Sequence, residues 1–185
     1  MDEFLNVWDS SGYRTDKIVS KDYVHQNGLF HATVHVWFFD KSSSILMQKR
    51  SLSKETFPGY WDVSVAGHVQ MNEGLIDAAI RETREEIGID ITSKSLNLLT
   101  IRKNINEFPN GIRDCEFQHV FLCKLTQPFQ SLKMHDSEID DLRLFSFDEI
   151  NECILGNHQK FNLVPVDMNY YSYIIDEVKK ELSSF

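Results

Sequence analysis

The 185 residues read as an α/β protein in which a mixed β-sheet packs between helices. Three observations carry this. Residues 32–40 and 45–49 alternate apolar and polar positions around a Lys41-Ser42-Ser43-Ser44 turn, as the two strands of a hairpin do. The stretch ending at Gly88 has helical spacing, with Ile76, Ala79, Ile80, Thr83 and Ile87 on one face for burial. Strands and helices then interleave without a regular βαβ repeat, which favours a mixed sheet over a parallel one.

In chain order, Phe4 to Trp8 is a short strand stopped by the Asp9-Ser10-Ser11-Gly12 turn cluster. Residues 18–24 are a second strand or the start of a loop. After the hairpin, Phe57-Pro58-Gly59-Tyr60-Trp61 is a bend leading through short apolar runs to Gly67. Residues 97–105 and 116–125 are strands joined by the turn Glu107-Phe108-Pro109-Asn110-Gly111. Residues 141–147 form another strand, and 148–155 a short helix with Asp148 as its cap. Residues 165–182 are the last helix, with Tyr170, Ile174, Val178 and Leu182 on one face. A single domain is expected, with a core over 30–165, a short N-terminal strand and loop extension and a C-terminal helix.

At 42% hydrophobic the chain can bury a core of its own. The net charge of −9 and the lack of a basic stripe argue against a nucleic-acid binder. The three cysteines, Cys115, Cys123 and Cys153, have no metal-site spacing and read as reduced thiols. The N-terminus shows no signal peptide, and no run reaches the roughly 20 apolar residues of a membrane span. A cytoplasmic location follows as the expectation, with a small-molecule substrate, no nucleic acid or membrane partner, and a homodimer allowed.

The segment from Gly67 to Ile89, GHVQMNEGLIDAAIRETREEIGI, carries the chemistry. Glu82 and Glu86 sit four residues apart on the helix with Glu85 beside them. Like charges at this spacing repel, so the pattern calls for something positive over them. Hard divalent cations such as Mg²⁺ bind through carboxylate oxygens and share their shell with phosphate.

These residues resemble the Nudix box, G-x5-E-x7-R-E-U-x-E-E-x-G-U, with U apolar. Gly67, Glu73, Arg81, Glu82, Glu85, Glu86, Gly88 and Ile89 fall in register, and Thr83 stands where an aliphatic residue is usual. The resemblance implies a Nudix-type α/β/α sandwich and a metal-dependent hydrolase. It implies Mg²⁺ (or Mn²⁺) held by Glu82, Glu85, Glu86 and the Gly67 carbonyl. Arg81 would pair with Glu73 and shape the loop, with Gly67, Glu73, Arg81 and Gly88 structural. The base would be Glu85 or, outside the box, Glu138; Glu82, Glu85 and Glu138 form the catalytic set. The substrate would be a nucleoside di- or triphosphate or another X-linked diphosphate, attacked by water at phosphorus.

Outside the box, GLFHATVHVWFF and MQKRSLSKETFPGYWDVSVAGH are similar to the isopentenyl-diphosphate isomerase branch of the same superfamily. The isomerases carry a catalytic cysteine before the box Gly-His; here that residue is Ala66, which cannot move a proton on carbon. They also lose box carboxylates that are all present here. The resemblance is therefore to the hydrolase members. An isomerase-like enzyme and a catalytically silent nucleotide or diphosphate sensor are the alternatives. By the same likeness Arg50, Lys54 and Lys21 match diphosphate-contacting positions. His25, His31, His68 and Glu116, with Asp114 nearby, match a second metal set suited to Zn²⁺ or Mn²⁺.

Overall fold

The computed structural model describes residues 3–135, 137–156 and 161–183. A two-stranded ribbon comes first, β1 (Phe4–Trp8) against β2 (Arg14–Ser20), followed by helix α1 (Lys21–Asn27). Then come β3 (His31–Phe39), β4 (Ser44–Arg50), β5 (Trp61–Asp62) and β6 (Val65–His68). Helix α2 (Leu75–Ile87) is the box helix, followed by β7 (Asn97–Glu107), β8 (Arg113–Lys124) and β9 (Ile139–Ser146). Helices α3 (Phe147–Ile154) and α4 (Met168–Ser183) end the described chain.

The main sheet has seven strands in the order β5-β4-β3-β8-β7, with β6 also on β3 and β9 on β4. The central pair β3 and β8 is parallel and the other pairings are antiparallel, so the sheet is mixed. Strand β3 shares one edge between two partners: Phe38 and Phe39 pair with β4, while Thr33 to Val36 pair with β6. Where the partners diverge, the Ser64 hydroxyl accepts from the Phe38 N–H and donates to the Leu46 carbonyl, which satisfies both buried backbone groups.

Alternation along β3 assigns two layers. Ala32, Val34, Val36 and Phe38 face α2 with Ala78, Ala79 and Ile87. Trp37 and Phe39 face α4 with Tyr170, Tyr171, Ile174, Ile175 and Val178. Helices thus cover both faces, as expected of an α/β/α sandwich. The C-terminal helix face expected from the sequence is the one buried, with Tyr171 and Ile175 widening it.

Some local expectations need correction. Of residues 18–24, the first three end strand β2, but 21–24 belong to α1 and are not strand or loop: the Ser20 side chain accepts from the Tyr23 N–H, and Gly28 closes the helix at φ 58°. Ser146, not Asp148, caps α3, in a reciprocal capping box with Glu149. The last helix starts at Met168 because the chain before it is bonded elsewhere: Trp61 N–H donates to Asn162 O, and Val164 N–H to Trp61 O. On α2, Ala79, Thr83 and Ile87 are buried as expected, but Ile76 and Ile80 are half-buried while Ala78, Glu82 and Glu86 take buried places.

Candidate active site

The box forms a loop, α2 and a second loop, wrapped around Arg81. Arg81 Nε and Nη2 donate to the two oxygens of Glu73 at 2.8 and 2.9 Å, a bidentate pair. Nη2 also donates to His68 O at 2.9 Å. Nη1 donates to Glu82 at 2.7 Å and to Glu85 at 3.0 Å. Glu73 in turn accepts from the Gln70 N–H at 2.9 Å, tying loop to helix. Burial opposes the Glu73 charge, but Arg81 and this N–H hold its carboxyl below the usual range. Gly88 turns the chain out of α2 at φ 70°, and a Cβ there would meet the Lys133 side chain at 2.7 Å.

Glu82 and Glu86 point inward, toward β6 and β4. Glu82 lies directly against Gly67. Glu86 Oε2 accepts from Gln48 Nε2 at 2.9 Å and from the Ala66 N–H at 3.3 Å. Glu82, Glu85, Glu86, Glu138 and His135 line one cavity of about 80 Å³. Burial raises Glu82 to about 7 against the pull of Arg81, with Glu85 adding to the rise. Glu86 is driven well above the carboxylate range by burial and then by Glu82 and Glu138. At Glu138 burial works in the same direction, yet the bound Lys54 ammonium, at 2.9 Å, keeps its carboxyl below the usual value. Four carboxylates around a small cavity, two of them buried at high cost, are a donor set that fits a hard divalent cation.

A raised folded-state value has a defined sign. Its stabilising effect is complete below the ordinary 4.5 and is lost as pH rises through about 7. Glu82→Gln removes that titration and also relieves part of the rise at Glu86. Without metal, the variant and the native protein should melt together near pH 5, and the variant should be the more stable by about 3 kcal/mol near pH 8. Melts in chelator across this range check it; a variant less stable at the alkaline end would contradict the electrostatic account.

On the other side of β6, the predicted histidines converge. Ligand nitrogens of His25, His31 and His68 lie within 4.8 Å of one another. Asp114 is 3.3 Å from His25 Nε2, and Glu116 is 3.9 Å from His31 Nε2. Burial, joined by Lys21, lowers His31 to about 4 and His68 well below the histidine range. Burial also lowers His25, against the pull of Asp114. The imidazoles are therefore neutral at ordinary pH. His31 is 0% exposed, and its Nε2 has no hydrogen-bond partner among the described residues. A buried orphan nitrogen among neutral imidazoles and carboxylates could hold Zn²⁺ or Mn²⁺.

The candidate phosphate-binding cations already hold partners. Lys54 is on Glu138, Lys21 on Glu3 at 3.0 Å, and Arg50 on Asp62 at 3.1 Å and on Thr56. The structure also brings in residues that the sequence reading missed. Gln48 and His135 belong to the acidic cavity. His35, Asp62, Arg102 and Gln118 lie near the histidines on the far side of the sheet. Strand alternation from His31 to His35 and from Glu116 to Gln118 was the available signal for two of these.

Comparison with known proteins assigns the class. The family profile described as NUDIX domain matches residues 29–166. Over 97% of its length the chain is 26% identical to Nudix hydrolase 3 of Arabidopsis thaliana, of which it spans 24%. Over 61% of its length it is 36% identical to an isopentenyl-diphosphate Delta-isomerase of Escherichia coli, of which it spans 60%. The chain thus spans about a quarter of the first of these relatives and 60% of the second. The crystal structure of DR0079 from Deinococcus radiodurans shares the fold, with a TM-score of 0.67 at 19% identity over 92% of this chain and 98% of that one. The chain belongs to the Nudix family.

Proposed function

We propose that this protein hydrolyses an X-linked diphosphate, foremost a nucleoside di- or triphosphate, with Mg²⁺ or Mn²⁺ bound. The observation that carries this reading is the gathering of Glu82, Glu85, Glu86 and Glu138 around one cavity beside Lys54. Glu82, Glu85, Glu86 and the Gly67 carbonyl would hold the cation. Bound there, it would neutralise phosphate charge and acidify water.

The chain's own groups do the rest. Lys54, Arg50 and Lys21 bind the phosphate oxygens, Arg50 through a fork and the lysines as point charges. When Lys54 turns to phosphate it releases Glu138, whose carboxylate gains basicity as that cation leaves and takes the proton of the attacking water. The new P–O bond forms as the bridging P–O bond breaks, and the leaving phosphate carries away the electron pair. Arg81 acts at one remove, holding Glu82 and Glu85 in place. Ala66 offers a methyl to the far side and its N–H to Glu86, which supports hydrolysis over isomerisation. His25, His31, His68 and Glu116 would hold a second, structural Zn²⁺ or Mn²⁺ that fixes α1 over the site. The unpaired cysteines fit the cytoplasmic location included in this reading.

The test is phosphate release from a panel of diphosphates. A chelator should abolish release and Mg²⁺ or Mn²⁺ should restore it; turnover that survives chelation overturns the reading. The second metal has its own readout. Purified protein should retain about one equivalent of Zn²⁺ or Mn²⁺ by elemental analysis, and His31→Ala and His68→Ala should each lose it. Equal retention by both variants would remove that metal from the account.

A further inference from the structure

A second cavity, of about 210 Å³, lies between the N-terminal ribbon and the loop that leads into α2. Trp8, Val69 and Leu75 give it apolar walls. Arg14 and Gln70, both exposed, stand at its mouth, and Asn6 and Glu73 complete the lining. Among the described residues it shares no wall with the acidic cavity. Glu73 links the two spaces, because the Arg81 that grips it also holds Glu82 and Glu85. Asn6, Trp8 and Arg14 come from the ribbon, ahead of residue 29 where the family profile begins. This cavity therefore belongs to the chain's own extension as much as to the profile-matched domain.

Its hydrogen-bonding groups are unevenly used. The side-chain acceptors of Glu73 and Asn6 are taken. Both Glu73 carboxyl oxygens accept from Arg81, and one of them also from the Gln70 N–H. Asn6 Oδ1 accepts from the Asn72 N–H at 2.8 Å. The donors are left over. Among the described residues Arg14 pairs with no carboxylate, and its guanidinium makes one long hydrogen bond, 3.4 Å to the Glu73 carbonyl. Trp8 makes ring contacts with Phe117 and His119, and among the described residues its indole N–H has no acceptor. An occupant must therefore bring acceptors, and a carboxylate matches the Arg14 fork. Size sets a second limit. An apolar cavity of about 150 Å³ holds one benzene ring, so this one takes a ring with a small substituent. It falls short of the roughly 300 Å³ at which pockets for larger ligands begin.

We propose that this cavity is a binding site for a small ring-bearing carboxylate, separate from the place where a diphosphate is held. The ring lies against Trp8, Val69 and Leu75, and the carboxylate takes the Arg14 fork and the Trp8 indole N–H. Burial of the ring supplies the hydrophobic part of the affinity, and the charged group fixes orientation at the mouth. A bare anion gains the fork without the walls, and an uncharged ring gains the walls without the fork. Because Glu73 is part of the lining, the occupant sits against the clamp that places Glu82 and Glu85.

Benzoate is the probe. Benzamide keeps the ring and loses the charge, and inorganic phosphate keeps the charge and loses the ring. Titrations of the full chain, followed by NMR spectra of its indole N–H groups, report affinity and place together. Trp37 and Trp61 are 1% and 4% exposed, and Trp37 Nε1 already donates to Tyr170, so the Trp8 signal should move most. Read from that signal, benzoate should bind with a Kd of about 1 mM or tighter, and benzamide and phosphate each about tenfold more weakly. Arg14 is exposed, so Arg14→Gln should fold normally. It should weaken benzoate about tenfold and leave benzamide unchanged. A Trp8 signal that benzoate leaves in place would overturn the proposal. So would benzamide or phosphate acting there as tightly as benzoate, or undiminished benzoate binding by Arg14→Gln. The titration needs neither metal nor turnover, so it stands or falls apart from the hydrolase reading.

Discussion

Glu82→Gln and Glu85→Gln should each lower kcat by about a hundredfold or more while leaving the fold intact. Either substitution keeps the shape of the side chain and removes a charge facing the acidic cavity. The two should differ in their side effects. Glu85 is 54% exposed at its side chain, so its replacement should leave the melting temperature near the native value. Glu82 is only 11% exposed, and neutralising it should stabilise the metal-free protein at alkaline pH. Steady-state kinetics at saturating Mg²⁺, paired with circular dichroism, check both points. Near-native turnover in both variants would remove these glutamates from the catalytic set.

Gly67→Ala should be almost as damaging, for a reason unconnected with charge. A Cβ at Gly67 would fall 2.0 Å from Glu82 Cδ and 2.5 Å from Glu82 Cγ. These are the carboxyl carbon and the atom next to it, so the clash is relieved only by swinging the whole carboxylate away from the strand. Glu82 must leave, and its contact with Arg81 goes with it. Overpacking of this kind costs about 1–3 kcal/mol, and kcat should fall by about a hundredfold as the carboxylate is displaced. Because both changes disable the same group, adding Glu82→Gln to Gly67→Ala should cost little more than either alone. Fully multiplicative losses, or a native-like Gly67→Ala enzyme, would show that the close approach of strand and helix is not what places Glu82.

The box was legible because each of its residues has a short-range job. Glu73 and Arg81 meet across one loop, Gly88 ends a helix, and helical spacing groups the carboxylates. The mixed sheet and its helical cover were legible from alternation at residues 32–40 and from periodicity in the last helix. What was not legible depends on pairings made across the chain. That Glu82 and Glu86 are buried follows from Gly67, Ala66 and Gln48 coming beneath α2, and no local pattern reports it. Arg102 and Gln118 are cross-strand neighbours only once β7 finds its register on β8. The convergence of His25 with His31 required a helix at 21–27, where the sequence allowed a strand. That helix was signalled by Ser20 and Gly28, two residues easily read as an ordinary turn.

The N-terminal ribbon changes how this architecture can be exchanged between proteins. The family profile begins at residue 29, yet Lys21 and His25 come from the segment before it. That segment is stitched to the box loop: Met71 N–H donates to Phe4 O, and Asn72 N–H to Asn6 Oδ1. The conventional domain is thus a cassette that would travel without one of its own walls. A chimaera that imports only residues 29–166 would carry the acidic cavity whole but leave the histidine cluster short of a member. Recombination that preserves both halves must cut before β1.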